Sequence, residues 1–568
     1  MTAEDVRQAA AAWIAADPDG QDRAELTALL ADDGPEAAAE LADRFRTRLN
    51  FGTAGLRGAV GAGPNRMNSA TVTAATAALA SVLLGGDPAV TAGVAAAGVV
   101  VGCDARHRSE EFAAQAADVL AGAGIRVHLL PSRQPTPLLA YAVRYFRAAA
   151  GVMITASHNP PGDNGYKVYL GDGAQIAPPA DADVEAAMAA VGSAAAVPVA
   201  QADSLLISRA GDEVAQAYLD AIHAELGSAP AGSAWLRFVY TPLHGVAGEL
   251  ALRAFDQAGY PLPDLVAAQF EPDPAFPTVR SPNPEEPGTL DLALAQARRS
   301  GADLVIANDP DGDRLAVAIP DQSAPGGYRQ LTGDQVGAVL GSFLLGRAAA
   351  DADVRIAEQL VVSTVVSGSL LSKIAAAAGA QYAQTLTGFK WIVRAADLRA
   401  GTRFCYGYEE ALGYAVTSAV RDKDGISAAL AVLSVAATAW SAGQSLQDCY
   451  DALEERHGVH VTAQITVPTE AAIDVMSRLR AAPPSELAGE PVVATTDYTG
   501  GWDLPSADML RYQLPDGRVV IRPSGTEPKI KAYLEVVESV TGRTLASARE
   551  AAHARMSQLR AAVAELLG

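Results

Sequence analysis

Cysteine is scarce. The chain has three in 568 residues, Cys103, Cys405 and Cys449. They are odd in number and too widely spaced for a disulfide framework or a metal knuckle, which fits a reducing compartment. Long apolar runs are missing too: no stretch of about 18 uninterrupted apolar residues occurs, so no membrane span is expected. The opening MTAEDVRQAAAAWIAAD lacks the basic start and apolar core of a secretory signal. It reads as an acidic amphipathic helix and points to the cytoplasm. Positive charge is in deficit, with 43 Lys and Arg against 65 Asp and Glu and a formal charge of -22. Such a field repels polyanions and argues against a nucleic-acid or anionic-membrane partner. Any phosphorylated small molecule must therefore be met by a locally basic pocket. No GxSxG elbow occurs, so the usual context of a serine hydrolase is absent.

Hydrophobic residues make up 49% of the chain, enough for several cores, and about 150 residues per domain suggests roughly four. Residues 1 to 48 read as helices broken at DPDG (Asp17 to Gly20) and DDGP (Asp32 to Pro35). Strands then alternate with helices: GVVVGCDARHRS ends a strand in Asp104, Arg106 and Arg108, a helix follows over 109 to 123, and a strand over 124 to 130. This alternation predicts an α/β unit with a largely parallel sheet, whose ligands sit beyond the carboxyl ends of the strands. An Ala, Pro and Ser-rich stretch near 180 to 204 marks a boundary. The expected division is 1–204, 205–325, 326–458 and 459–568. The first three are α/β units and the fourth is a smaller α+β unit ending in an amphipathic helix, Leu545 to Leu567.

TASHNP, Thr155 to Pro160, follows the apolar run Gly151 to Ile154 and precedes Lys167. A serine delivered by a buried strand onto a turn beside a histidine is placed as a nucleophile, here Ser157 with His158. The same letters also suit an ordinary polar turn. In FGTAGLRG, Phe51 to Gly58, glycines let backbone approach a ligand and Arg57 supplies a fixed positive fork. DPDGDR, Asp309 to Arg314, ends another apolar strand. In extended backbone Asp309, Asp311 and Asp313 point to one side, and hard oxygen donors of that kind suit magnesium. A calcium loop is excluded, because the twelfth position is Pro320 and the sixth is not glycine. RPSGTEPK offers Arg522, Ser524, Gly525, Thr526 and Lys529 as a phosphate grip. Glu409 and Glu410 sit among glycines and tyrosines in a loop suited to sugar hydroxyls, and Thr387, Gly388 and Lys390 can add hydroxyl or phosphate contacts. Asp424, in RDKDG, is read as the cap of an apolar helix.

A cation site beside a serine nucleophile, two basic grips and a polyol-binding carboxylate describe phosphoryl transfer within a phosphorylated sugar. The ordered series FGTAGLRG, TASHNP, DPDGDR, EEALG and RPSGTEP resembles the α-D-phosphohexomutase superfamily over nearly the whole chain. GTAGLRG, SPNPEEPG, TGFKW and YEEALGY are most similar to its phosphoglucomutase and phosphopentomutase branch. The resemblance implies a heart-shaped four-domain isomerase moving phosphate between C1 and C6 of glucose phosphate through a sugar 1,6-bisphosphate, with phosphopentomutase or phosphomannomutase as alternatives. It implies phosphorylation of Ser157, and Mg²⁺ on Asp309, Asp311, Asp313 and a phosphoserine oxygen. His158 and Lys167 become alternatives for proton transfer, and Arg57 a contact of the moving phosphoryl group. Glu409, Arg421 and Lys423 join the substrate set, and Arg522, Ser524, Gly525 and Thr526 hold the non-reacting phosphate. One departure is Ala411, where the classical loop has a serine. The sequence leaves monomer and dimer open, and a non-catalytic sugar-phosphate binder is the rival of a different class.

Overall fold

The computed structural model describes residues 2–52, 55–86, 88–201, 203–469, 472–501, 504–524 and 529–568. They divide into two compact units, one of 1–229, 233–330 and 417–430, the other of 230–232, 331–416 and 431–568.

The first unit opens with helices Ala3–Ala16, Gly20–Ala31 and Pro35–Arg46. The breaks at DPDG and DDGP are helix starts: Asp19 caps the second helix through the amides of Gln21 and Asp22, and Pro35 opens the third. Proline suits that place because first-turn amides have no helical acceptor. Val6, Ala10, Leu26, Leu41, Phe45 and Ala62 form a small core among them.

A six-stranded sheet follows, in the order Leu56–Ala59, Asp163–Leu170, Ala150–Ile154, Val99–Cys103, Val127–Leu129 and Ile207–Arg209. The last four strands are parallel, and Asp163–Leu170 runs antiparallel to both neighbours. The central strands are wholly buried, as parallel strands covered on both faces must be. Helices Ser69–Leu83 and Ser109–Gly122 bring Val72, Leu79, Phe112 and Ala116 against Val99, Val101 and Val152. Helix Thr136–Tyr145 seats close to Gly151, where a Cβ would lie 2.5 Å from the Val143 side chain.

The boundary read from 180 to 204 needs correction. Residues Ala180–Ala190 are helical and bury Val184 and Met188 in the same core. An i, i+4 pair in an alanine-rich helix is too thin a pattern to read against its background. Strand Ile207–Arg209 also completes the first sheet, which therefore runs past residue 204. Similarly, Tyr328–Gln330 pairs with Leu315–Pro320, carrying the second sheet beyond 325. That sheet has the order Tyr328–Gln330, Leu315–Pro320, Leu304–Asn308, Phe238–Thr241, Asp264–Leu265. Its last three strands are parallel and its first two antiparallel.

The second unit holds a four-stranded mixed sheet, Gln381–Thr385, Gln359–Thr364, Arg403–Glu409 and Gly413–Ala415. Beyond it lies a five-stranded antiparallel sheet, Val459–Pro468, Lys529–Glu538, Gly517–Pro523, Leu510–Leu514 and Ala494–Asp497, backed by helix Leu545–Leu567. The architecture is thus three α/β domains with mixed sheets and an antiparallel C-terminal domain. Among the described residues no single helix is long and apolar enough to cross a membrane.

Candidate active site

Two strand ends of the first unit meet. The buried strand Ala150–Ile154 delivers the serine turn, and Leu304–Asn308 delivers the aspartate turn. Ser157 is buried, with its backbone in the left-handed region at φ 52°, and its amide donates to Thr155 Oγ1 at 2.8 Å. Its hydroxyl donates to Asp309 Oδ2 at 2.8 Å and lies 3.1 Å from His158 Nδ1. Arg57 Nη1 donates to Asn159 Oδ1 in the same turn, at 3.1 Å.

Asp309, Asp311 and Asp313 are all buried, with ligand oxygens within 4.8 Å of one another. The expected geometry is corrected here. The carboxylates converge through a turn, closed by Gly312 N–H donating to Asp309 O at 2.9 Å, and not through strand alternation. Gly312 has φ 73°, and a Cβ there would meet Ala247 Cβ at 3.0 Å and Pro135 Cβ at 3.1 Å. Lys167 Nζ donates to Asp311 Oδ2 (2.7 Å) and Asp313 Oδ2 (3.1 Å), and Lys423 Nζ lies 3.2 Å from Asp313 Oδ2. Thr136 Oγ1 donates to Asp311 Oδ2 at 2.6 Å, and the Arg314 amide donates to Asp309 Oδ1 at 3.0 Å.

Burial, reinforced by the charges of Asp311 and Asp313, pushes the Asp309 carboxyl well above the usual range. Asp311 is equally buried, yet Lys167 beside it overrides that cost and holds its carboxyl well below the usual range. Burial followed by Arg314 and Arg57 lowers His158 and keeps it neutral. Lys167 keeps its proton against burial because Asp311 and Asp313 raise its affinity. Asp311 Oδ1 and Asp313 Oδ1 are buried with no hydrogen-bond partner, an unfavourable state for carboxylate oxygens unless a further cation engages them. The donor set therefore fits a hard divalent ion.

The second unit carries most of the remaining candidates. Glu409 Oε1 accepts the Gly388 amide at 2.6 Å and ties the Thr387 to Lys390 loop to the end of strand Arg403–Glu409. Lys390 is buried, its ammonium 5.8 Å from the Trp391 ring centroid. Glu410 faces inward, accepting from Ser367 Oγ (2.9 Å) and Thr364 Oγ1 (3.2 Å), and burial next to Glu409 pushes its pKa up to about 7. Arg522 Nη2 donates to Tyr533 Oη at 3.1 Å, and the Ser524 amide donates to Lys529 O at 2.8 Å. Gly525 and Thr526 lie outside the described residues. In the first unit Arg421 and Lys423 share a loop anchored by Tyr169 Oη, which donates to Asp422 Oδ2 at 2.7 Å. Asp424 caps the helix beyond, as read, through the amides of Ile426 and Ser427.

Sequence reasoning missed Thr136 and Tyr169. Neither belongs to a motif, and each reaches a carboxylate more than 150 positions away, so no local signal exists for them.

Four family models match the chain in series. They are described as phosphoglucomutase/phosphomannomutase alpha/beta/alpha domain I over residues 48–195, domain II over 216–322, domain III over 332–457, and the C-terminal domain over 464–552. A Haemophilus influenzae protein named "Probable phosphomannomutase" is 41% identical, over 83% of this chain and 93% of that one. A Schizosaccharomyces pombe protein named "Probable phosphoribomutase" is 35% identical over 92% of each. A Staphylococcus epidermidis phosphoglucomutase is 33% identical over 88% and 93%. Among solved structures, a phosphoglucomutase/phosphomannomutase family protein from Burkholderia thailandensis matches with a TM-score of 0.66, 21% identity and coverage of 91% and 97%. Paramecium pp63/parafusin matches with 0.65, 17%, 92% and 97%. At those identities the likeness speaks to fold alone.

Proposed function

This chain belongs to the phosphoglucomutase/phosphomannomutase family, a family of phospho-sugar mutases, and from that premise we propose that it moves a phosphoryl group between two hydroxyls of one sugar through phosphorylated Ser157. The observation that carries the reading is the Ser157 hydroxyl 2.8 Å from Asp309, within a buried carboxylate triad that also engages Lys167.

Asp309, Asp311 and Asp313, with an oxygen of phosphorylated Ser157, would hold Mg²⁺, which when bound offsets charge on the moving phosphoryl group. Ser157 donates its phosphoryl group to a hydroxyl of the sugar monophosphate. The resulting 1,6-bisphosphate, or its pentose counterpart, turns over and returns the other phosphate to Ser157. Lys167, engaged by two carboxylates, serves as fixed charge together with Arg57. His158, 3.1 Å from Ser157 Oγ, takes the proton of the attacking sugar hydroxyl and passes it to Ser157 Oγ as the bond to phosphorus breaks, and in the return step the serine proton goes back to the sugar oxygen that is freed. Glu409, Thr387, Gly388, Lys390, Arg421 and Lys423 recognise the sugar and its phosphate, and Arg522, Ser524, Gly525, Thr526 and Lys529 grip the phosphate that does not react.

We read mannose 1-phosphate and pentose 1-phosphates ahead of glucose 1-phosphate. The 41% relative is named a phosphomannomutase and the 35% relative a phosphoribomutase, and Ala411 removes a hydroxyl that the resemblance associates with glucose. The net charge of -22 supports a small-molecule partner over nucleic acid or membrane, and the three widely spaced cysteines suit a cytoplasmic setting. The test is a coupled assay on mannose, ribose, deoxyribose and glucose 1-phosphates with Mg²⁺ and a trace of glucose 1,6-bisphosphate. Isomerised product from none of the four refutes the assignment. Inorganic phosphate as sole product makes the protein a phosphatase.

A further inference from the structure

Arg106 holds the reactive turn from behind. It is buried, at 4% exposed, and its guanidinium donates to the backbone carbonyls of Ser157 (2.7 Å), Asn159 (2.6 Å), Pro160 (2.8 Å) and Asp163 (3.1 Å). One planar fork thus fixes four carbonyls of a single stretch, which a lysine ammonium cannot do. Phe276 covers it, with the guanidinium carbon 5.1 Å from the ring centroid.

The turn that carries Arg106 is fixed in its own way. Asp104 Oδ1 accepts the Arg106 amide (2.9 Å) and the Ser109 hydroxyl (2.6 Å). Two residues on, Arg108 leaves the turn in the left-handed region at φ 64° and reaches the N-terminal helices. Its Nη1 donates to Asp22 Oδ1 at 2.6 Å, and its Nη2 pairs with Asp19 and donates to Ser69 Oγ at 3.1 Å. Asp22 is 1% exposed, so this contact is part of the interior. Asp19 caps the helix that bears Asp22, and both precede residue 48, where the first family model begins.

We propose that the N-terminal helices brace the reactive serine: Asp19 and Asp22 fix Arg108, Arg108 fixes the 104–108 turn, and Arg106 is a positioning residue that holds Ser157 against the aspartate turn. This rests on Ser157 being the phosphorylated residue. The competing account is that helices 3–46 contribute stability alone.

The two accounts separate in the full-length protein carrying Asp22→Asn, Arg108→Gln or Arg106→Lys. The readouts are kcat and KM for the preferred sugar phosphate, and the rate at which residue 157 gains phosphate from glucose 1,6-bisphosphate, by peptide mass. They are taken at a temperature where circular dichroism shows each variant folded. Arg108→Gln is expected to lower kcat and the phosphorylation rate together by at least about tenfold, the scale of a displaced reacting group, with KM within about twofold. Arg106→Lys falls further, and if it does not fold, Arg108→Gln and Asp22→Asn carry the test. Folded Arg108→Gln and Asp22→Asn with wild-type kcat and phosphorylation rate, and only a lower melting temperature, overturn the brace. Wild-type protein that gains no phosphate at residue 157 overturns the functional reading instead.

Discussion

Replacing Lys167 by Met tests whether the buried carboxylates form a cation site. The ammonium touches Asp311 Oδ2 at 2.7 Å and Asp313 Oδ2 at 3.1 Å, and all three side chains are buried. Methionine fills a similar volume without charge and leaves Lys423, 3.2 Å from Asp313, as the nearby lysine. Removing one partner of a buried ion pair costs about 3–5 kcal/mol, a large share of the roughly 5–15 kcal/mol that separates folded from unfolded domains. With metal chelated, the variant should lose stability on that scale. With millimolar Mg²⁺ the carboxylates regain a counter-charge and much of the loss returns. A ligand that binds only the folded state stabilises by RT ln(1 + [L]/Kd). Each tenfold tightening of Kd after loss of the repelling ammonium adds about 1.4 kcal/mol. The assay is urea denaturation of wild type and Lys167→Met in EDTA and in Mg²⁺, followed by circular dichroism. An equal loss in both conditions, or a loss under about 1 kcal/mol in EDTA, the scale of an exposed pair, refutes the argument.

Gly312→Ala forces a side chain at φ 73° against Ala247 and Pro135. A strain of about 1–3 kcal/mol should shift the turn and weaken Mg²⁺ affinity at least about tenfold by titration calorimetry while the fold persists; unchanged affinity counts against the turn. For Glu410, folding raises the pKa from 4.5 to about 7. The folded state holds the proton more tightly, so its contribution is full below pH 4.5, declines as pH rises toward 7 and is gone above it, by at most about 3 kcal/mol. Glu410→Gln, which keeps the neutral form, should remove this decline between urea midpoints at pH 5 and pH 8; a parallel pH dependence in both proteins contradicts it. Ala411→Ser should raise kcat/KM for glucose 1-phosphate relative to mannose 1-phosphate, and an unchanged ratio removes that position from the specificity set.

Strand ends were legible because a buried apolar run closing on a polar turn is a local pattern, and both the serine and the aspartate turns arise that way. What depends on distant partners was not. Thr136 reaches Asp311 across 175 positions, and Arg106 reads in sequence only as the charged end of a strand. The roles of His158 and Lys167 separate only through their surroundings, since Lys167 is held by two carboxylates while burial, Arg314 and Arg57 keep His158 neutral. The two copies of DPDG state the limit most sharply. At Asp17 to Gly20 the glycine is the first residue of a helix with ordinary backbone. Asp19 is left free to cap that helix and to pair with Arg108. At Asp309 to Gly312 the glycine turns at φ 73°, and the chain folds back so that Asp313 joins Asp309 and Asp311. One tetrapeptide thus yields a helix cap or a carboxylate cluster, according to whether a helix or a strand follows it. A reading that treats the first copy as a bare turn therefore overlooks the anchor that, on the inference above, steadies the turn holding Ser157 beside the second.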